Sequence, residues 1–278
     1  IHTLDFSSLP IKDTIAFILL QKTSQDNLMI ANRIKKLFPD KFVLSRATDE
    51  IEAAELLENG VDRTVQIARI VTHAILDELE TAKLKTSVFH LVSVIQEAAG
   101  KGLAIFLQDN PDPDAIASGC ALKRIAEKYH IKSTIYYGGN IGRQQNKILV
   151  DLLETDLIQL KTADEALEIA HAADKVALIE ASIPSKNNIL PLQITPHIVI
   201  DHHETDFSLV KGEFIEILPK IGATSTILTR YLRHLDIVPD PPLATALRYG
   251  IRVDTGGFTR NTTMEDLDAA AYLSPLLD

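Results

Sequence analysis

Residues 103–115 read LAIFLQDNPDPDA, a short apolar run that ends in a cluster of carboxylates. Two further clusters follow apolar residues: Asp201-His202-His203 after Ile198-Val199-Ile200, and Val253-Asp254-Thr255-Gly256-Gly257-Phe258 after the weaker apolar signal at Ile251. If these apolar runs are strands of an open α/β sheet, their carboxyl ends meet in one crevice and bring the clusters together. Carboxylates and histidines gathered at strand ends suggest a metal centre.

Apolar runs alternate with amphipathic stretches from Ile11 onward, which predicts an α/β fold with parallel sheets flanked by helices. The predicted strands are Ile15–Leu20, Phe42–Leu44, Leu103–Leu107, Ser133–Tyr137, Val176–Ile179 and Ile198–Ile200. The predicted helices are Asn27–Phe38, Glu50–Asn59, Ile67–Leu79, Ala115–Tyr129, Asn146–Leu153 and Ala223–Leu235.

Two domains are predicted within the 278 residues. A polar stretch at Thr81–Thr86 marks the boundary, and a separate helix is expected at Ser87–Ala99. The predicted division is residues 1–82 for the first domain, 83–102 for a connecting helix and 103–278 for the second domain. With about 80 residues, the first domain is too short for a complete doubly wound nucleotide-binding fold.

Composition limits the classes of function. The 46% of hydrophobic and 24% of charged residues are typical of a globular protein, and the sequence has no apolar run long enough to predict a membrane span. Residues 1–5 lack the basic start of a secretory signal, and the single Cys120 fits a reducing cytoplasm, so a cytoplasmic location is expected. The net charge of -10 disfavours long contacts with nucleic acid but allows a small phosphate ligand.

The N-terminal segment carries three short motifs. Asp26-Asn27 follows the first predicted strand, Ser45-Arg46-Ala47 follows the second, and Gly60-Val61-Asp62 closes the next helix. Over Ile11–Leu79 they resemble the second half of the regulator domain of potassium channels and transporters (RCK or TrkA-N), which implies a partial Rossmann-like fold and nucleotide binding. The glycine-rich phosphate loop of the complete domain is missing from the sequence. A structural or dimerising half-domain and a small-ligand sensor both stay open, and so does a homodimer formed through this domain.

The motif Asp112-Pro113-Asp114 places two carboxylates in an extended turn just before a predicted helix. Oxygen ligands of this kind suit Mg²⁺ or Mn²⁺, and an added imidazole favours Mn²⁺. Taken alone, such a pair is commonly a solvated turn or a helix cap, and His202-His203 is commonly a structural pair. The order of the clusters along the chain is more informative than any one of them.

Four clusters, Asn110–Ala115, Asp201–His203, Gly222–Ser225 and Asp254–Gly256, resemble the motifs of the DHH phosphoesterase family in order and spacing. The resemblance covers Leu103–Leu277, and archaeal members with an attached regulator-type domain look especially similar. The family includes RecJ-type exonucleases, phosphodiesterases of small oligonucleotides and cyclic dinucleotides, and manganese-dependent inorganic pyrophosphatases. The resemblance implies two metal ions bridged by a water that attacks phosphorus.

The resemblance also implies roles for individual residues. Asp112 would ligate the first metal, and Asp114 the second. His202 and Asp254 would join Asp114, which makes Asp254 part of the catalytic centre, while His203 would act as a catalytic residue facing the scissile phosphate. Further expected phosphate-binding residues are Gly222, Ala223, Thr224 and Ser225, whose amides either bind phosphate or only cap a helix. Independently of the resemblance, Arg252 and Arg260, which flank the Asp254 cluster, and Arg143 are either phosphate ligands or surface ion-pair residues. Asn146 is expected to cap the helix that follows it.

Two positions depart from the family pattern. Family members usually have a histidine four residues before the first aspartate of the motif, and this chain has Gln108 there. The position of the aspartate that usually bridges the two metals is Glu180. An amide oxygen is a weaker ligand than imidazole, and glutamate is one methylene longer than aspartate. Both residues remain candidate ligands, and the expected cofactor is two Mn²⁺ ions, or one if the first site is lost, with Mg²⁺ as the alternative.

The sequence therefore predicts a divalent-metal-dependent phosphoesterase, of the phosphodiesterase or exonuclease kind, that acts on a small nucleotidic phosphodiester. A small nucleotide, a short single-stranded oligonucleotide or a cyclic dinucleotide would be the partner. The alternative is a nucleotide-binding regulatory protein whose altered metal centre is inactive.

Overall fold

The structure is a computed structural model that describes residues 12–277. The predictions that concern residues 1–11 and Asp278 lie outside this part of the chain. Two compact units are present, and the division between them falls between Ala82 and Lys83. Among the described helices, none is both long and apolar enough to cross a membrane.

The first unit contains a parallel sheet of three strands in the order β1-β2-β3. Its elements are β1 (Ala16–Leu19), α1 (Ser24–Leu37), β2 (Phe42–Ala47), α2 (Glu50–Glu58) and β3 (Arg63–Gln66). The side chain of Thr23 caps α1 by accepting from the amide of Asp26, and Asp49 caps α2 in the same way. Both helices pack on one face of the sheet, since right-handed crossovers in one direction keep the helices on one side.

Helix α3 runs without a break over Ile67–Gln96. The predicted end at Leu79, the separate helix at Ser87–Ala99 and the limits of the connecting helix, 83–102, were therefore wrong. The polar residues near the boundary do not interrupt a helix, because the stretch holds neither glycine nor proline, and Thr81 donates its hydroxyl hydrogen to the carbonyl of Asp77 at 2.9 Å.

The second unit is built on a six-stranded parallel sheet in the order β6-β5-β4-β7-β8-β9. Its strands are β4 (Leu103–Leu107), β5 (Ser133–Tyr137), β6 (Leu157–Gln159), β7 (Lys175–Ile179), β8 (Ile198–Asp201) and β9 (Phe214–Ile217). Its helices are α4 (Pro113–Lys128), α5 (Gln144–Leu153), α6 (Ala163–Ala172), α7 (Thr224–His234), α8 (Pro241–Asp254) and α9 (Met264–Leu273), followed by a 3-10 turn at Ser274–Leu276. The predicted class, α/β with parallel sheets flanked by helices, is confirmed.

Three central strands position the site. All residues of β4, β7 and β8 are buried, as expected for apolar strands covered on both faces. From β4 the chain moves outward to β5 and β6, and then returns to β7 on the other side of β4. The strand order therefore reverses between β4 and β7, and ligands of open α/β sheets bind at the carboxyl ends of the strands at such a point.

Asp254 does not follow a strand, contrary to the sequence prediction, and is the last residue of α8. Asp240 caps this helix by accepting from the amide of Leu243 at 3.1 Å, and Pro241 and Pro242 occupy its first turn. The apolar residues that suggested a strand end belong to a helical repeat of buried positions, which ends at Ile251.

Candidate metal centre

The loop after β4 is fixed by contacts with the loop after β5. Asn110 has a positive φ of 55°, and its amide donates to the carbonyl of Gly138 at 3.0 Å. Its side-chain oxygen accepts from the amide of Asn140 at 2.9 Å. Asn146 lies inside α5 instead of capping it, and its side chain donates to the carbonyl of Pro111 at 3.4 Å. These contacts set the position at which α4 begins.

Asp114, in the first turn of α4, is fully buried against the start of α7. Its two carboxylate oxygens accept from the amides of Thr224 and Ser225, each at 2.7 Å. The amide of Gly222 donates to Asp266 at 3.0 Å. These amides are therefore engaged by carboxylates of the chain itself, so the contacts favour capping over phosphate binding for Gly222–Ser225.

Gly250 explains how α8 comes close to α4. A Cβ atom at this position would lie 2.7 Å from the hydroxyl of Ser225 and 3.0 Å from the Cα of Asp114. Only a glycine permits this approach without movement of the backbone. Because Asp254 lies one helical turn further on, the approach brings its carboxylate toward Asp114.

His202 follows β8, and its ring is oriented by a backbone carbonyl. Its Nδ1 lies 3.1 Å from the carbonyl oxygen of Ile221, which is an acceptor only, so Nδ1 carries the hydrogen. The other ring nitrogen, Nε2, lies 3.1 Å from Oε1 of Glu180 and 3.2 Å from Oδ2 of Asp254. This is the arrangement of a metal-binding histidine, in which a second partner fixes the ring and leaves one nitrogen free for the ion.

Four predicted ligands come together as one group. One potential ligand atom from each of Asp114, Glu180, His202 and Asp254 lies within 4.8 Å of all the others. A second group combines Glu180 and His202 with His203. Three carboxylates and an imidazole suit Mn²⁺, which accepts both kinds of ligand. We refer to the group of Asp114, Glu180, His202 and Asp254 as the four-residue cluster.

Glu180 shows most directly that the cluster fits a cation. It follows β7 with a positive φ of 62°, and its side chain is completely buried. Among the described residues, neither of its carboxylate oxygens nor Nε2 of His202 has a hydrogen-bond partner. Three carboxylates share the single imidazole of His202, so the cluster keeps excess negative charge even with His202 3.1 Å from Glu180, and a bound divalent ion would compensate it.

The pKa shifts at the cluster reflect its excess of negative charge. Burial, followed by the charges of Glu180 and Asp254, raises the pKa of Asp114 well above its usual value. Burial and the charge of Glu180 raise the pKa of Asp112 to about 6. Burial alone would lower the pKa of His202, but the nearby carboxylates of Asp254 and Glu180 raise it to about 12. Protons and a metal ion therefore compete for the same site.

Two residues predicted for the first metal, Asp112 and Gln108, are not part of this cluster. Asp112 is the N-cap of α4, and its Oδ1 accepts from the amide of Ala115 at 3.0 Å. Gln108 lies just after β4, and its side-chain oxygen accepts from the side-chain amide of Asn187 at 2.9 Å. Among the described residues, both groups of candidate ligands contain Glu180 and His202 and neither contains Asp112 or Gln108.

His203 lies beside the cluster with about half of its side chain exposed. Its Nδ1 is 2.8 Å from Oδ1 of Asp201, and its backbone amide donates to the same oxygen at 3.0 Å. The other oxygen of Asp201 accepts from the hydroxyl of Ser182. Asp201 therefore orients the ring and directs Nε2 away from itself. Sequence analysis assigned no role to Asp201, although its place two residues before His203 was a signal.

Asp266 is a second supporting residue that sequence analysis missed. Its buried carboxylate accepts from the amide of Gly222, from the hydroxyl of Thr226 at 2.6 Å and from the amide of Thr263 at 2.8 Å. These bonds hold the segment whose neighbouring carbonyl, on Ile221, orients His202. The capping-box pattern from Thr263 to Asp266 was its only local signal.

The three arginines predicted as phosphate ligands lie at the surface. Arg143, Arg252 and Arg260 are all exposed, and no side-chain hydrogen bond or ion pair involves them within residues 12–277. The side chain of Arg260 packs over Gly256, where a Cβ atom would lie 3.1 Å from it. Cys120 is buried in the core, as predicted.

Comparison with known proteins gives relatives but no family assignment, and no protein-family model matches the chain. An uncharacterized protein of Methanocaldococcus jannaschii is 36% identical over 276 residues, which cover 94% of this chain and 55% of that protein. A probable manganese-dependent inorganic pyrophosphatase of Deinococcus radiodurans is 30% identical over 179 residues, which cover 63% of this chain and 54% of that protein. The chain therefore spans about half the length of these two relatives.

Two further comparisons involve a shorter sequence match and a solved structure. A cyclic-di-AMP phosphodiesterase of Bacillus subtilis is 25% identical over 175 residues, which cover 59% of this chain and 26% of that protein. Among solved structures, an exopolyphosphatase-related protein from Bacteroides fragilis gives a TM-score of 0.52 at 17% identity, covering 69% of this chain and 56% of the other. The structural likeness supports the fold, and two of the relatives have the names of a pyrophosphatase and a phosphodiesterase.

Proposed function

We propose that the chain is a divalent-metal-dependent phosphoesterase of the DHH type that acts on a small nucleotidic phosphodiester, such as a short single-stranded oligonucleotide or a cyclic dinucleotide. The observation that carries the proposal is the four-residue cluster, in which three buried or half-buried carboxylates lie around one imidazole. The similarity of the chain to a probable manganese-dependent pyrophosphatase and to a cyclic-di-AMP phosphodiesterase supports Mn²⁺ as the cofactor and a phosphate compound as the substrate.

In this proposal the four-residue cluster holds the ion, and a bound Mn²⁺ or Mg²⁺ supplies Lewis acidity toward a phosphoryl oxygen and a more acidic water. His203 contributes from the chain itself. The hydrogen bond to the carboxylate of Asp201, ahead of an opposing effect of burial, raises the pKa of His203, which favours the protonated ring. A protonated His203 donates a hydrogen bond to a phosphoryl oxygen, or a proton to the leaving oxygen.

A second candidate function is a nucleotide-binding regulatory protein that does not turn over its ligand. The hydrogen bond between Gln108 and Asn187 favours it, because this bond engages the amide oxygen at the position predicted for a first-metal ligand. A Mn²⁺-dependent assay with short oligonucleotides, cyclic dinucleotides and pyrophosphate distinguishes the two functions. Nucleotide binding without hydrolysis of any of these substrates would support the regulatory protein.

We expect replacement of His203 by glutamine to lower turnover about 10²- to 10⁴-fold, the usual contribution of a positioned acid or base. Mn²⁺ binding should change little, because the four-residue cluster keeps its own ligands. Steady-state kinetics and a titration with Mn²⁺ measure the two effects. The exposed His171, in the last turn of α6, provides the control variant His171→Gln. Unchanged turnover in His203→Gln would remove this residue from the mechanism.

For the N-terminal unit we propose a partial Rossmann-like fold that forms a homodimer, in a protein of the cytoplasm. Every residue of α3 from Ile67 to Ala82 is exposed, and its apolar residues form one broad stripe along the helix. An antiparallel pair of these helices, centred between Ala74 and Ile75, would place Ile70 opposite Leu79. Pairing of two copies in this way would cover the apolar stripe on both chains, which favours a second copy as the partner.

The change Ile75→Glu is expected to weaken self-association at least about 10-fold, because it puts a charge at the centre of the proposed interface. Leu76 is exposed to a similar extent, 51% against 54%, but points about 100° away around the helix. Leu76→Glu is therefore the matched control and should associate like the unchanged protein. Sedimentation equilibrium measures both, and an equal effect of the two changes would argue against this interface.

A further inference from the structure

We propose that a small cavity beside Glu180 is a phosphoryl-binding subsite made of hydrogen-bond donors, and that it replaces the first cation site. The inference rests on the proposed function and names the group that binds next to the four-residue cluster. The cavity has a volume of about 120 Å³, and its lining includes Gln108, Glu180, Lys186, Asn187 and His203. Sequence analysis gave neither Lys186 nor Asn187 a role.

The amide pair Gln108–Asn187 determines the kind of ligand. The side-chain oxygen of Gln108, the atom that would bind a metal, already accepts from Nδ2 of Asn187 at 2.9 Å. Three N–H groups of the pair stay available, both hydrogens of the Gln108 amide and the second hydrogen of the Asn187 amide, beside the acceptor Oδ1 of Asn187. N–H groups attract an anion and repel a cation. With Gln108 in place of the histidine expected from the resemblance, the cavity therefore prefers an anion to a metal ion.

The loop that carries Lys186 and Asn187 is held in place from several sides. Asn187 has a positive φ of 59°, and its carbonyl accepts from the amide of Asp109 at 2.8 Å. The buried side chain of Asn188 donates to the carbonyls of Ile183 and Lys186, both at 2.8 Å. Donors fixed in this way lose little conformational freedom when a ligand binds, which favours affinity.

The charges around the cavity complete the subsite. Lys186 contributes an ammonium group, and His203 contributes a ring that is oriented by Asp201. Three carboxylates also line the cavity. That of Asp201 is engaged by His203 and Ser182, that of Glu180 belongs to the four-residue cluster, and that of Glu204 is exposed, where water and salt screen its charge. A phosphoryl group in the cavity would therefore lie between a metal ion at Glu180 and the ammonium of Lys186.

The volume is large enough for a phosphoryl group. About 120 Å³ is well above the roughly 10 to 15 Å³ that a single water needs on this measure. A nucleotidic substrate would place a phosphate here, next to the four-residue cluster.

Calorimetric titration with inorganic phosphate, at saturating Mn²⁺, tests the subsite without relying on turnover. Lys186→Met is expected to weaken phosphate binding about 10-fold, because one charge-assisted hydrogen bond is lost, whereas Lys186→Arg should retain most of it. Asn187→Asp replaces a donor with an anion at nearly constant shape and should weaken binding further. The control is Lys211→Met at an exposed lysine outside the cavity lining. Mn²⁺ affinity, titrated separately, should stay the same in Lys186→Met.

The outcomes separate this subsite from the function on which it rests. If the unchanged protein binds both Mn²⁺ and phosphate, and Lys186→Met and Asn187→Asp bind phosphate equally well, the subsite is refuted and the proposed function remains. If the unchanged protein binds Mn²⁺ but no phosphate, the subsite is refuted, and hydrolysis in the Mn²⁺-dependent assay decides the phosphoesterase function separately. Selective loss of phosphate binding in the two variants, with Lys211→Met unaffected, supports the subsite.

Discussion

Replacement of Glu180 by glutamine is expected to eliminate Mn²⁺ binding at the four-residue cluster and to stabilise the metal-free protein. Glu180 is central to the cluster, with an oxygen 3.1 Å from Nε2 of His202. Loss of a residue that merely supports a metal ligand typically lowers affinity about 10- to 100-fold, so loss of this direct ligand should lower it by more than about 100-fold. Turnover should fall with it.

The expected gain in metal-free stability has a separate cause. Three carboxylates share the single imidazole of His202, so the contact of His202 with Glu180 leaves negative charge uncompensated, and the charge of Glu180 contributes to the raised pKa of Asp114. A neutral amide removes this repulsion in the unliganded state. Metal binding and metal-free stability therefore change in opposite directions, as expected for a residue retained for binding and not for folding.

Thermal unfolding with and without Mn²⁺ measures both effects in one experiment. In the unchanged protein, Mn²⁺ at about 100 times its dissociation constant should add about 2.7 kcal/mol of stability. Glu180→Gln should unfold at a higher temperature than the unchanged protein in a chelator and gain little from Mn²⁺. Glu168→Gln, at an exposed glutamate of α6, is the control. An equal Mn²⁺-induced shift in Glu180→Gln and the unchanged protein would contradict the assignment of the cluster.

The sequence was informative where the signal is local and repeated. The bounds of β4 and β5 were predicted to the residue. β4 is a fully buried apolar run with clear ends, and β5 is rich in β-branched and aromatic residues. The short strands β3, β6 and β9 were not predicted. They lie at sheet edges and hold polar or exposed residues, so they lack such a run. The helices α6, α8 and α9 were missed as well.

The sequence predicted which residues form the site, but not the contacts that hold them in place. Asp114, His202 and Asp254 were identified by resemblance, yet the helix that carries Asp254 reaches the site only through the close approach at Gly250. The engagement of the amides of α7 by Asp114 is likewise a contact between residues about 110 positions apart. No local pattern encodes such a contact, because it depends on how separate helices pack.

Gln108→His is expected to raise the number of bound Mn²⁺ ions from one to two per chain. The imidazole would replace an amide oxygen that is engaged by Asn187 with a nitrogen that binds transition metals well. Burial and the charge of Glu180 raise the pKa of Asp112 to about 6, so the two carboxylates interact electrostatically. Asp112 would then become a ligand of the added ion. The added ion should raise turnover, since two ions stabilise both the attacking and the leaving oxygen.

Adding Glu180→Asp to Gln108→His should further strengthen the binding of the added ion, which occupies the site predicted for the first metal. The positive φ of 62° at this position suits aspartate better than glutamate, and the shorter side chain restores the bridging residue expected from the resemblance. Metal analysis of the purified protein and anomalous scattering count the ions, with Gln144→His at the exposed start of α5 as the control. If the count stays at one in both variants, Gln108 is not what prevents a first metal site. If it rises to two while phosphate affinity through Lys186 falls, the same cavity binds a cation or an anion according to the residue at position 108.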